Sequence, residues 1–165
     1  TAVQFGRDGL EPPPSPWIAR EWEAPHDDYR LRFVESMKDH VKDEGKGETV
    51  ERMYRSQCLR DDTMAEAIAD ALATFRHRRV LVLHFCGCFH SDFGHGTAAR
   101  VLARVPSASL GIVTTMQPDE PEKFDVKKET ERANFVLVVP NPPKKTSEKK
   151  GEPATPAPEN KSDGG

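Results

Sequence analysis

The chain is poor in cysteine and in long apolar runs, and it carries no excess of positive charge. Three cysteines in 165 residues, a small and odd number, do not make a disulfide framework. No apolar run approaches the ~20 residues that span a bilayer. Lys and Arg total 24 against 27 Asp and Glu, with a formal net charge of −3. No basic face stands out, so we expect no nucleic-acid partner.

The two ends of the chain lack the residues that build a core. Residues 141–165 contain no aromatic or branched apolar side chain, and such a composition predicts a disordered tail. Residues 1–26, with three successive prolines at Pro12 to Pro14, are expected to form an irregular amino-terminal segment. The remainder, residues 27–140, has the size of one small domain of about 100–150 residues.

Periodic apolar positions predict a first helix over Tyr29–Lys42. Asp27 or Asp28 can cap its start, and Gly45 and Gly47 are expected to end it. Its predicted apolar face carries Leu31, Val34, Met37 and Val41.

A longer helical region is predicted from Thr49 onward. The polar cluster Arg60–Thr63 interrupts its apolar spacing, and two arrangements stay open. Either the helix bends there, or a new helix begins with Asp61 or Asp62 as its cap. Both arrangements place Arg60 and Asp61 close to a helix end. An arginine there suits a carboxylate such as a propionate, so Arg60 and Asp61 are a candidate binding pair.

The second half of the chain predicts strands. The run Val80–Gly87 is apolar on both faces, which favours a buried strand of a parallel sheet. Ser109–Met116 and Asn134–Val139 predict two further strands, and Thr97–Arg104 a helix. This order predicts an α/β fold, with a mostly parallel sheet, flanking helices and a small helical cap at residues 27–48.

The turn at residues 87–96 is the candidate functional site, because ligands bind at the carboxyl ends of strands in open α/β sheets. His90 is the first candidate, since a neutral imidazole can ligate a metal or orient a bound group. Gly87 is expected to let the backbone approach a ligand closely. Asp92 can orient His90 or His95 as a hydrogen-bond acceptor, although an aspartate in a turn is as often only a turn residue.

A second pattern crosses the same region. His84, Cys86, Cys88 and His90 alternate and would share one face of an extended strand, and imidazole and thiolate are zinc ligands. A strand spreads the four over roughly 20 Å, too far for one tetrahedral ion. Cys86 and Cys88 are therefore expected to fill core positions as small apolar residues.

Two motifs in order resemble the ChaN haem-binding family, which belongs to the wider group of the TIKI proteases and erythromycin esterase. The first is Arg60-Asp61-x-x-Met64-Ala65, and the second is an apolar strand that ends in Gly87-x-x-His90. The stretch Glu51–Gln57 is similar to the family's helix before the first motif. The resemblance covers about Tyr29–Val139.

The resemblance implies an α/β core with a helical cap and haem bound between the two. His90 then lies near the iron, Arg60 lies near a propionate, and Asp61 belongs to the same site. The family implies a link to iron uptake and a cell-envelope location, periplasmic or at the outer membrane. Membrane association is expected only through a lipid anchor outside this sequence, and homodimer formation stays open.

The sequence departs from the family pattern at two places. The family opens with a strand and a Gly-Glu-x-His motif that has no counterpart before Tyr29. We therefore expect the carboxyl-terminal part of a longer protein, or a truncated form. Many relatives carry Asp-Tyr-Gly where this sequence has Asp92-Phe93-Gly94, and a phenylalanine cannot ligate iron.

Three functional hypotheses follow. The leading one is a haem-binding protein, more a binder than an enzyme, which captures a flat apolar ring against the cap. The alternative is a metal-dependent hydrolase of the TIKI or erythromycin esterase type, in which His90 helps to hold a divalent ion. The third is an inactive remnant that keeps only the fold.

Overall fold

The computed structural model describes residues 13–41, 46–75 and 77–141. Within these ranges, three α-helices and a two-stranded parallel sheet make up an α/β arrangement. The elements are α1 Asp28–Ser36, α2 Lys46–Thr74, α3 Gly96–Arg104, β1 Val113–Met116 and β2 Phe135–Val138. The predicted disordered tail, apart from residue 141, lies outside the described residues. Within the described ranges, no helix is both long and apolar enough to cross a membrane.

Helix α1 starts as its sequence predicts and ends early. The Asp27 side chain accepts a hydrogen bond from the Arg30 backbone N–H at 3.1 Å, which is an N-cap. The helix ends at Ser36 rather than near Lys42. At this end the Ser36 hydroxyl and the Met37 N–H both donate to the Phe33 carbonyl, at 2.8 and 3.1 Å.

The buried face of α1 also differs from the prediction. Tyr29 and Phe33 are buried, whereas Leu31, predicted to face the core, is 63% exposed. Tyr29 and Phe33 lie four residues apart on one face of the helix. They pack with Tyr54 and Cys58 of α2, and this cluster is the core between the two helices.

Helix α2 runs unbroken through the polar cluster that was predicted to bend or restart it. Asp61 and Asp62 do not cap a helix, because their carboxylates bind other elements. Asp62 pairs with Arg100 at 2.9 Å and with Arg104 at 2.7 Å, which fixes α3 against α2. The prediction that Arg60 lies near a helix end is therefore wrong.

The amino-terminal segment has no helix or strand over residues 13–26, yet it is attached to α2. The Ala19 N–H donates to the Thr63 hydroxyl at 3.0 Å, and the Glu23 N–H donates to Asp62 at 3.3 Å. Ala19 is buried. These described residues therefore belong to the folded unit despite their irregular backbone.

The prediction of a buried strand at Val80–Gly87 is wrong for this structure. The segment pairs with no strand in the described part of the chain. Leu81, Leu83 and Phe85 are 82%, 71% and 90% exposed. Apolar periodicity indicates that a segment can be buried, but the burial itself requires neighbouring strands and a covering layer.

The other two predicted strands are confirmed with shorter bounds. β1 and β2 pair in parallel, with Val113 opposite Phe135 and Met116 opposite Val138. The connection between them, predicted as an exposed loop, contains two 3₁₀ turns, Pro121–Lys123 and Val126–Glu129.

Candidate functional site

Asp61 is the centre of a buried polar cluster. Its side chain is fully buried and accepts three hydrogen bonds from three different elements. Tyr29 Oη donates to Oδ2 at 2.7 Å, while Thr97 Oγ1 and His90 Nδ1 reach Oδ1 at 2.8 Å each. A buried carboxylate is tolerated only when donors surround it. The cluster therefore joins α1, α2, the turn and α3 at one point.

The ring of His90 is oriented by this cluster. An ionised carboxylate can only accept, so Nδ1 is the nitrogen that donates to Asp61. The Gln57 amide nitrogen lies 3.1 Å from Nδ1 and 3.4 Å from Nε2 of the same ring. It also donates to the Tyr29 hydroxyl at 3.1 Å.

Gly96 is the glycine that the fold of the site requires, while the expectation that Gly87 lets the backbone approach a ligand closely stays a prediction. A Cβ on Gly96 would lie 2.6 Å from the His90 carbonyl oxygen and 3.0 Å from Asp61 Oδ1. Its φ of +55° is also a conformation that favours glycine. A Cβ on Gly87 would meet only His90 Cδ2, at an ordinary 3.8 Å.

Tyr29 contributes to the site through both its hydroxyl and its ring. Burial, and then the charge and hydrogen bond of Asp61, raise the pKa of its hydroxyl far above the ordinary value. The phenol therefore stays protonated and donates to Asp61. Its ring packs against Phe89 at 5.4 Å and His95 at 6.0 Å between centroids.

A cleft of about 490 Å³ lies between α1 and the turn at residues 88–95. This volume is within the ~300–1,000 Å³ of typical ligand pockets. Its walls include Tyr29, Phe89, Phe93, His95, Arg32 and Arg132. One wall of the cleft belongs to α1, a helix of the predicted cap, but His90 and Arg60, which were expected to contact the ligand, do not line it.

Phe93 forms one wall of the cleft and has an unusual backbone. Its φ is +62°, which is uncommon for a bulky residue, and its N–H donates to the Arg132 carbonyl at 2.6 Å. The guanidinium of Arg32 lies 3.3 Å from the ring centroid, and that of Arg132 lies 4.8 Å away. Arg132 is also bound by Asp92 at 2.7 Å.

The structure separates the predicted site residues into three groups. Asp61 and His90 are joined in the buried cluster, and His90 is not among the cleft walls. Asp92 and His95 line the cleft. Arg60 is half-exposed, and its side chain makes no hydrogen bond or ion pair with any described residue.

Successive helical residues point about 100° apart. Because Asp61 points inward, its neighbour Arg60 points in a different direction.

The prediction that Cys86 and Cys88 fill the core is also wrong, because both are exposed. In the described part of the chain, no group of three His, Cys, Asp or Glu side chains could hold a metal ion.

Several functional residues were missed from the sequence. Tyr29 and Gln57 contact the Asp61–His90 pair, and Arg32 and Arg132 line the cleft. Tyr29 had a usable signal, since it lies in the first turn after the Asp27 cap and forms an i, i+4 pair with Phe33. For Arg32 and Arg132 we find no local signal, because each becomes a cleft residue only through tertiary packing.

Comparison with known proteins identifies the family of the chain. Residues 2–101, more than half of the chain, match the family described as haem-binding uptake, Tiki superfamily, ChaN. The chain therefore belongs to the ChaN family. The match begins at residue 2, before the expected domain start at residue 27, and ends before β1. No curated protein and no solved structure matches the chain significantly.

Proposed function

We propose that this protein binds haem, or a closely related iron porphyrin, in the cleft between α1 and the turn. The observation that carries the proposal is the composition of the cleft in a member of a haem-binding uptake family. Tyr29, Phe89 and Phe93 supply aromatic surface for a flat ring. Arg32 and Arg132 supply cations for carboxylate substituents.

His95 is the residue that we propose as the iron ligand. It is the one histidine that lines the cleft in the described ranges. Its ring contacts Tyr29 and Phe93 at 6.0 and 6.4 Å between centroids, and its nitrogens bind no described residue. Haem, when bound, supplies an iron that accepts an axial nitrogen ligand. The residues of the cleft therefore fit the group.

His90 receives a positioning role in this proposal instead of the predicted iron contact. Its Nδ1 is held by Asp61, which also holds the Tyr29 hydroxyl. The Tyr29 ring is in turn a wall of the cleft. Through these bonds His90 and Asp61 fix the wall against which the porphyrin would pack.

Titration with hemin tests this proposal. We expect the purified protein to shift the Soret band of hemin with a saturable 1:1 endpoint. His95→Ala should change the Soret position and weaken binding at least tenfold, whereas His84→Ala, an exposed residue outside the cleft, should match the wild type. If His90→Ala loses the Soret shift while His95→Ala behaves like the wild type, the iron ligand would be His90 instead of His95. No saturable shift in the wild type would overturn the proposal.

A role in iron uptake at the cell envelope is part of the same proposal. Its support is the family description, which names haem-binding uptake. Two measurements check it. Cell fractionation of the natural host locates the protein, and growth of a deletion strain with hemin as sole iron source tests its role in uptake. A protein found only in the cytosol, whose deletion leaves growth on hemin unchanged, would contradict this part.

A second candidate function rests on the Asp61–His90 hydrogen bond. A carboxylate on one imidazole nitrogen orients the other toward a metal or a substrate proton, which suits the hydrolase alternative. Metal analysis and an ester hydrolysis assay with added Zn²⁺ or Mn²⁺ test it. Activity that disappears in His90→Ala and persists in His95→Ala would favour a hydrolase.

A further inference from the structure

Arg32 is a cation without a counter-ion at the edge of the cleft. Its exposed side chain makes no ion pair and no hydrogen bond within the described residues. The nearest acid along the helix that also lines the cleft, Glu35, is paired with Lys38. Among the described residues, the ring of Phe93 is the one group on which the Arg32 guanidinium stacks.

The second cleft arginine is different. Arg132 is bound by Asp92 at 2.7 Å and by Glu129 at 2.6 Å, and its side chain is only 25% exposed. Two carboxylates already offset its charge. An anionic ligand that enters the cleft therefore meets one uncompensated guanidinium, and that group belongs to Arg32.

The stacking on Phe93 orients the Arg32 guanidinium so that it can bind a planar anion. A guanidinium that lies on an aromatic face keeps its N–H groups in its own plane, free for two parallel bonds to a carboxylate. Phe93 holds its ring there with a backbone φ of +62°. Strained conformations of this kind persist where the surrounding structure fixes them, often at ligand sites.

Asp92 adds a buried acid beside the cleft. It lines the cleft and is only 6% exposed; its Oδ1 is buried and has no hydrogen-bond partner among the described residues, while its Oδ2 binds Arg132. The cleft thus combines apolar walls with a cation, Arg32, that no described acid offsets. This combination fits a mainly apolar ligand with a few polar substituents.

We propose that Arg32 is the residue that selects carboxylate-bearing porphyrins, by binding one ring carboxylate while the ring packs on the cleft walls. This inference rests on the proposed function, because it assumes a porphyrin in the cleft. It replaces the expected role of Arg60, which does not line the cleft. The contact is partly exposed to solvent, so its loss should weaken binding by about 5- to 30-fold.

Metal-free protoporphyrin IX and its dimethyl ester test the proposal without any contribution from iron. Binding is followed by porphyrin fluorescence in wild type, in Arg32→Gln, and in the control Arg79→Gln. Arg79 is exposed, does not line the cleft and loses the same charge. We expect wild type and the control to prefer the free acid by about 5- to 30-fold, and Arg32→Gln to bind acid and ester alike.

Each outcome decides the proposal. Equal affinity of the wild type for acid and ester would overturn it, and so would an Arg32→Gln variant that keeps the preference. Absence of binding for both porphyrins would overturn it, and the hemin titration then decides separately whether the proposed function stands. If the acid preference depends on Arg32 but hemin gives no His95-dependent Soret change, this inference stands and the iron ligation fails. Arg32 is exposed, so its substitution should leave the fold intact.

Discussion

Asp61 and His90, which lie 29 positions apart in the sequence, are joined by a hydrogen bond of 2.8 Å between Oδ1 and Nδ1. The carboxylate is fully buried, whereas 17% of the histidine side chain is exposed. The pair connects the middle of α2 to the turn that precedes α3. This one contact therefore joins the two sequence motifs that resemble the ChaN family.

Replacement of Asp61 by alanine should destabilise the protein by about 3–5 kcal/mol, because two buried hydroxyl donors and the partly buried His90 ring would lose their acceptor. Urea unfolding monitored by circular dichroism measures this. The neighbouring substitution Arg60→Ala removes no side-chain hydrogen bond or ion pair with a described residue and should cost less than about 0.5 kcal/mol. Similar losses for the two variants would contradict the assigned role of Asp61.

Gly96→Ala should lower the free energy of unfolding by about 2 kcal/mol or more. The new methyl group would lie 2.6 Å from the His90 carbonyl oxygen, at a φ of +55°, and both overpacking and backbone strain contribute. Gly47→Ala is the matched control. Nothing lies within 4 Å of its added Cβ, and alanine in a helix should stabilise by up to about 1 kcal/mol. Equal effects at the two glycines would refute this prediction.

Stability should decline at alkaline pH partly because of Cys58. Burial raises the pKa of its thiol from 9.0 to about 12. The unfolded thiol ionises near pH 9 while the folded one keeps its proton, so the unfolded state binds fewer protons. The contribution of Cys58 is therefore complete below pH 9 and is lost as pH rises toward 12.

The pH dependence of urea unfolding in Cys58→Ala checks this sign. Tyr29 has an ordinary value of 10.0 and a raised pKa in the fold, so it adds a similar loss from about pH 10. Between pH 9 and 10 the variant should therefore show a shallower decline than the wild type. Parallel curves in that interval would mean that Cys58 makes no such contribution.

Phe85 and Phe33 should respond very differently to substitution by alanine. Phe85 is 90% exposed, and its loss should change the free energy of unfolding by less than about 0.5 kcal/mol. Phe33 is 8% exposed and belongs to the α1–α2 core, and its loss should cost about 3–5 kcal/mol. A large loss for Phe85→Ala would show that Val80–Gly87 is buried in solution after all.

The errors of sequence interpretation share a cause. The periodic pattern of α2 was clear, but Asp61 and Asp62 looked like a helix break because such residues favour caps. Their carboxylates instead bind Tyr29, His90, Arg100 and Arg104, partners that no local pattern identifies. Val80–Gly87 looked like a buried strand for the converse reason, since its apolar pattern does not specify a partner.

The sequence alone determined the helical character of α1, α2 and α3, the cap at Asp27, the β1 and β2 strands and the region of the functional site. These features depend on periodicity and on short motifs, which are local properties of the chain. Only the tertiary structure decided which groups meet: Asp61 with Tyr29, Thr97 and His90, and Arg32 with Phe93 at the cleft. Such contacts join residues that are far apart in sequence, so they depend on how the helices and the turn pack. Composition and the spacing of residues do not specify that packing.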